Sequence, residues 1–527
     1  MMSHSSQSSV SLPSILVARF LQKNNYTETL DAFIREARLP ANVGRVGATS
    51  GGKEWTIEGV LEEKKSYDYS VDFEREGDGD EGDVWRVPGI FLFLFIYLFI
   101  YFFFFFDLPP ICVTALLLIE LNRAPSNPSI IATPTPSNLL AASVEPWTKL
   151  AGRGLGNRAR DSESPLYVVA TSADRQVHLR HVSVAAGKET GGDQDEGITL
   201  SGLSESPILS YASVHGGGYI LMTNMSGQLL LVEGSDIVDS RRDHKKYAVK
   251  VIAQEEEEGQ GIWIATAGWD GKIFVYHAHV DTSASDRIGE PVAFVDLPTN
   301  PESIVFTKHP DSEQLILLAS RRDSTHLYYY RIEPPSSLDP QQKKPYECKL
   351  IGKQNLAPHS VAWVAFSPSY LAISPHDPGL LAVATSTTPH MKVIIVRLLF
   401  PNDDDQQQQG RGYETHFSQA MTALSLQNRE DAAILVQTNA FAPQTPYGSM
   451  PQVAWRPDSS GVWVNSEDGV IRGIETKTGK VTCLLKDGHR IGSKIRTIWS
   501  GFVDVLGERE EWLVTGGFDK RLVVWRV

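Results

Sequence analysis

From Pro165 onward the chain is a succession of short β-rich runs that each break at a tight turn and resume. The clearest unit is the last. Glu511 to Trp525 reads strand, tight turn, strand, with Asp519 placed where a turn needs a side chain that bonds its own backbone. Similar units run from Tyr167 to Arg180, turning at Asp174, from Ile262 to Tyr276, turning at Asp270, and from Val462 to Ile474, turning at Asp468. Weaker units run from Tyr219 to Val232, Leu315 to Ile332 and Leu380 to Leu398, with turns near Ser226, Asp323 and Thr388. The turn positions 174, 226, 270, 323, 388, 468 and 519 are spaced by 52, 44, 53, 65, 80 and 51 residues. Short strands at such spacing, punctuated by Gly, Asp, Asn and Pro, set the class as mainly β.

These units resemble WD repeats. The last carries the family's structural set, His489, Thr515, Asp519 and Trp525. Elsewhere Asp174, Asp270 and Asp468 hold the turn position, while Arg180, Tyr276 and Ile474 stand in place of the terminal Trp. The resemblance implies a WD40-like β-propeller with about 40–45 residues per blade plus loop insertions, hence seven blades. An eighth would have to lie in the widest gap. It also implies a hydrogen-bonded chain through His489, Thr515, Asp519 and Trp525 inside one blade. The last unit ends after a third strand, so its blade lacks an outer one. Residues near Leu139 to Leu150 are expected to supply it, because closure leaves no long exposed sheet edge. The propeller is thus expected over residues 137–527.

Residues 12–38 have a different period. Leu16, Phe20 and Leu21 fall on one stripe of a helix that starts near Pro13, a residue suited to a first turn. After Asn24-Asn25 a second helix starts at Thr27 and carries Leu30, Phe33 and Ile34 inward. Two such short helices are marginal alone. Docking two copies buries half a dozen large apolar side chains per chain, each worth roughly 1.5–3 kcal/mol. The stretch resembles the LisH motif on Leu16, Phe20, Leu21, Tyr26, Thr29, Leu30, Phe33 and Glu36, with Asn25 where that family usually has Gly. The resemblance implies an α-helical hairpin that makes a homodimer.

Between the two modules lie a polar acidic linker (39–88), an apolar insertion (89–121) and a Pro/Ser linker (122–136). Ile90 to Phe106 is seventeen residues of Phe, Leu, Ile and Tyr alone, nine of them Phe. Its length suits a membrane span, but it has none of the small residues that spanning helices pack with. All four residue types can be encoded by T-rich codons, so the run reads as a translated intron or a membrane segment, with the first favoured over the second and over a buried helix.

Signatures of chemistry are missing from the pattern. The formal net charge of −14 does not offer the footprint that nucleic acid requires. Cys112, Cys348 and Cys483 form no CxxC pair, so neither a zinc site nor a disulfide framework is expected, and a reducing compartment, cytoplasm or nucleus, fits. His215-Gly216-Gly217-Gly218 has no G-x-S-x-G to serve and reads as a turn. Arg241 to Lys246 reads as an exposed basic loop. No catalytic, cofactor-binding or metal-binding residue is expected. The expectation is a non-enzymatic scaffold or adaptor that dimerises through its LisH motif and binds other proteins on its propeller, with a membrane-anchored propeller using residues 90–106 as the alternative. Sequencing the transcript across Val87 to Arg123 separates the origins of the apolar run. An interrupted frame is expected, and a continuous one in mature message rules out the intron.

Overall fold

In each repeat the run before the turn is nearly unbroken in its apolar character, and the structure shows why. Tyr219–Asn224 and Gly261–Gly268 are buried at every position, and Leu166–Ser172 and Leu380–Thr385 at all but the first. A strand without alternation is one covered on both faces. The sheets therefore stack face to face. The computed structural model describes residues 17–18, 21–23, 26–36, 39, 124–131, 136–148, 150, 164–187, 197–256, 261–279, 288–333, 345–360, 365–401, 416–446, 450–505 and 507–526. Leu16, Phe20 and the whole of 40–123, including the apolar insertion, lie outside them.

The chain divides into two compact units, Met1–Glu81 and Gly82–Val527. The second is a seven-bladed propeller of antiparallel sheets, six with four strands and one with a fifth, Tyr346–Glu347, added in parallel. The innermost strands are Leu139–Pro146, Ile208–Val214, Ala248–Glu255, Pro301–Lys308, Pro368–Ile373, Val453–Trp455 and Ile495–Val505. All seven turns read from sequence fall in the hairpin between the second and third strands of a blade. Among the described residues the widest gap holds no further blade. It contains the helix His416–Ala433 and then the outer strand Ile434–Pro443 of the fifth blade. His215–Gly217 is a single 3-10 turn between two strands.

Closure differs from the expectation. The outer strand of the last blade is Asn127–Ile131, which pairs with Leu522–Arg526 from Asn127 opposite Arg526 to Ile131 opposite Leu522. Leu139–Pro146 is instead the innermost strand of the first blade, paired with Leu166–Ser172. Burial explains the assignment: Leu139–Pro146 is covered along most of its length, whereas Asn127–Ile131 is mostly exposed. The propeller thus begins inside the stretch 122–136 read as linker. Pro128 and Ser129 hide the strand in sequence, but Pro is tolerated on an edge.

Six innermost strands share one irregularity. A register shift follows their first residue and throws out Leu140, Leu209, Val249, Glu302, Ser369 and Arg496. Such bulges re-aim a side chain, and all six line the central cavity. The next residue stitches neighbouring blades in three places. Ser210 Oγ accepts from Val251 N (3.2 Å), Ser303 Oγ from Leu371 N (3.2 Å) and Thr497 Oγ1 from Ala142 N (3.1 Å). The last of these joins the seventh blade to the first. Between the sixth and seventh, buried Arg456 donates to both carboxylate oxygens of buried Glu511 (3.0 and 2.7 Å).

Deleting residues 127–131 removes a strand that buries Ile131 and uncovers the edge of Leu522–Arg526. The melting temperature should fall by about 5 °C or more. An unchanged melt would show that the ring does not depend on this strand.

Candidate interaction surface

The N-terminal unit presents an amphipathic helix, Thr27–Glu36, with no fully buried residue. Of the six residues assigned to dimerisation, Leu16 and Phe20 lie outside the described residues. Leu21, Leu30 and Phe33 are half-buried, and Tyr26 is 54% exposed. Tyr26 N donates to Leu21 O and Leu30 N to Tyr26 O (both 2.9 Å), which carries the chain from residues 21–23 into the helix.

In the last blade His489, Thr515, Asp519 and Trp525 form one buried chain. His489 Nδ1 lies 3.1 Å from Asp519 Oδ1 and Nε2 2.9 Å from Thr515 Oγ1, which accepts from Trp525 Nε1 at 3.0 Å. Gly517 is required beside it, since a Cβ there would lie 2.5 Å from Asp519 Oδ1. The third blade builds the same chain with one change. His244 bonds Asp270 (3.0 Å) and Thr266 (2.9 Å), and Tyr276 replaces Trp, donating its hydroxyl to Asp243 Oδ2 at 3.0 Å. Sequence reasoning missed His244, placing it in an exposed basic loop. It is 3% exposed, and Arg241 of that stretch pairs with Asp243 and Glu290. The available signal was spacing: His244 precedes its Asp by 26 residues, His489 by 30.

The other two turn aspartates work differently. Asp174 accepts from Ser172, whose hydroxyl also meets His178 Nε2 at 3.1 Å. Asp468 accepts from Ser466 and from Arg472 NH2 at 2.7 Å. Each of these two blades therefore stiffens its turn with a Ser two residues before the Asp and a basic residue four after it. Burial alone would push Asp519 up, but the His489 bond and charge and the N–H groups of Arg490 and Arg521 outweigh it and hold the carboxyl below its usual range. Asp270 is lowered in the same way by His244 and Lys245 N.

At the propeller centre lies a cavity of about 600 Å³. The starts of the innermost strands and the hairpin turns after the second strands meet at the same end, since Ile495 pairs with Gly517 and Leu139 with Ser172. Three of its charged residues are paired or solvated by hydroxyls. Glu302 bonds Arg322 (2.7 Å), Glu467 bonds Lys494 (2.9 Å), and Glu145 accepts from Ser143 and Ser213. Among the described residues Lys250 Nζ meets only a phenol: it donates to Tyr370 Oη at 3.2 Å and lies 4.9 Å from that ring's centre. Arg496 has neither hydrogen bond nor ion pair among the described residues. No cluster of three metal-ligating side chains occurs among the described residues, and no described helix is long and apolar enough to cross a membrane.

Two family matches cover these modules. A family model described as UCP007778, beta-propeller domain, matches residues 167–526, and one described as UCP007778, LisH domain, matches residues 14–41. No curated protein matches the chain.

Because Asp519 titrates below its ordinary value in the folded chain, the unfolded chain takes up this proton first as pH falls. Its contribution is full above about pH 4 and is lost as pH drops through the folded value. Asp519→Asn should therefore lower the melting temperature most near pH 7, by the equivalent of about 1–3 kcal/mol. The gap to wild type should close as the pH is taken toward about 3. A gap that does not change with pH would show that the charge of Asp519 contributes nothing.

Proposed function

Since the chain belongs to the UCP007778 family, in which a LisH domain precedes a beta-propeller domain, we propose that it is a non-enzymatic scaffold that dimerises through the first and binds partner proteins on the second. The observation that carries this reading is the presence of two surfaces suited to binding other proteins. One is a helix whose Leu30 and Phe33 remain half-exposed in a single chain. The other is a rigid ring that displays seven sets of turns. Loops on a rigid frame are where specificity is built. Dimerisation presents two rings at once, and two weak contacts to one assembly then bind far more tightly than either alone.

The buried cysteines agree with work in a reducing compartment of the cell. Cys348 and Cys483 are both buried and outside any disulfide. Burial pushes the Cys348 thiol up to about 12, with Glu333 and Glu347 adding to the rise, so it is kept from the reactive thiolate form.

Light scattering of the full chain should give a dimer, and Leu30→Asp with Phe33→Asp should give a monomer with an unchanged propeller melt. Losing the burial of even one such side chain, roughly 1.5–3 kcal/mol, weakens association by about tenfold or more. A wild-type monomer at micromolar concentration would remove the dimerisation half of the proposal. A tagged full chain that captures no partner reproducibly from cells would remove the other half.

A further inference from the structure

The central cavity has an imbalance of charge that the fold itself does not resolve. Arg496 is the bulged residue of the last blade's innermost strand and lines the cavity. Its equivalent in the fourth blade, Glu302, has Arg322 as partner. Arg496 has no such counterpart among the described residues, and burial lowers its guanidinium to about 10. Lys250, from the third blade, reaches Tyr370 and, among the described residues, no carboxylate. Two cations thus line one cavity, one of them bonded to a phenol, and the carboxylates described there are paired with other cations or hydrogen-bonded to hydroxyls. A desolvated cation without a partner is costly, and its natural counterpart is an anion supplied from outside.

The rim says what kind of anion. Tyr247 and Trp269 stack with ring centres 5.3 Å apart. Tyr247, Met450 and Phe518 are 42%, 40% and 39% exposed, and all four residues line the same cavity. A free inorganic anion needs only the cations. Aromatic and Met side chains around a charged centre are the anatomy of a protein-binding hot spot, where apolar anchors surround a desolvated polar contact. The volume admits a few side chains rather than a folded domain.

We propose that the channel mouth binds an extended segment of a partner protein, which places a carboxylate between Arg496 and Lys250 and rests apolar side chains on the rim. This depends on the scaffold reading and names the chemistry of the ligand that the propeller takes. The bidentate fork of Arg496 suits a carboxylate, and Lys250 adds a second charge from the third blade.

The probes are short fluorescein-labelled peptides with a central Glu flanked by Leu and Phe in varied order, each beside its Gln twin, titrated with the full chain by fluorescence anisotropy. Acidic members should bind about tenfold or more tightly than their amide twins. Arg496→Gln and Lys250→Met should each erase about tenfold of that affinity while leaving the melting temperature in place. Equal affinity for the twins, or no binding by any member, overturns the proposal. So does inorganic phosphate that stabilises wild type but not Arg496→Gln while no peptide binds, which would assign the cations to a small anion. An Arg496→Gln protein that keeps its complete set of cellular partners overturns the channel site alone and leaves the scaffold standing, whereas a wild-type chain without partners overturns the scaffold itself.

Discussion

A sheet buried on both faces cannot exist alone. That constraint governs the whole propeller, because the second strands of its blades have no polar face to offer water. Each blade needs a neighbour on either side, and a row of such blades ends in two uncovered faces unless it closes. The structure closes by covalent economy: one short strand from before the first blade completes the last. The seam is then sealed by a mixed core in which Leu139, Val144 and Val168 of the first blade pack with Trp512 and Val514 of the seventh, and by the bond from Ala142 N to Thr497 Oγ1.

Closing the ring buries the polar turns as well, and buried polar groups must be bonded. The two His–Asp–Thr chains show how composition adapts locally. In the seventh blade Trp525 lies so close to Gly488 that a Cβ there would sit 2.4 Å from its ring. In the third blade the smaller Tyr276 frees that space but adds a hydroxyl, and the residue before the His is Asp243, which accepts from it. Gly with Trp and Asp with Tyr are two solutions to one packing problem.

Local chemistry was legible in the sequence. Gly–Asp turns and apolar runs announce hairpins, so the seven blades could be counted from Asp174 to Asp519. What escaped was whatever depends on distant partners. Asn127–Ile131 has a Pro and only two large apolar residues, and its strand character comes from the edge that it covers. His244 sits among charged neighbours, and nothing in that stretch reveals Thr266 or Asp270 closing around it. The helix His416–Ala433 is rich in helix formers but has no strong apolar stripe, so periodicity gave no signal. Arg496 in a β-run is an ordinary exposed residue until the bulge turns it toward the channel. The half of the LisH pattern that falls on Leu21, Tyr26, Leu30 and Phe33 was legible because helical period needs only the segment itself.

The way the ring closes also fixes an order of events during synthesis. Asn127 pairs with Arg526, 399 positions later (526 − 127). At ~5–20 residues per second, the ribosome needs roughly 20–80 s to deliver the partner strand after the first is made. Throughout that interval the first blade's Leu139, Val144 and Val168 face solvent where Trp512 and Val514 will eventually lie. The nascent chain therefore carries this uncovered apolar face for the whole of that interval, and a stop or frameshift late in the message harms the earliest blade as much as the last.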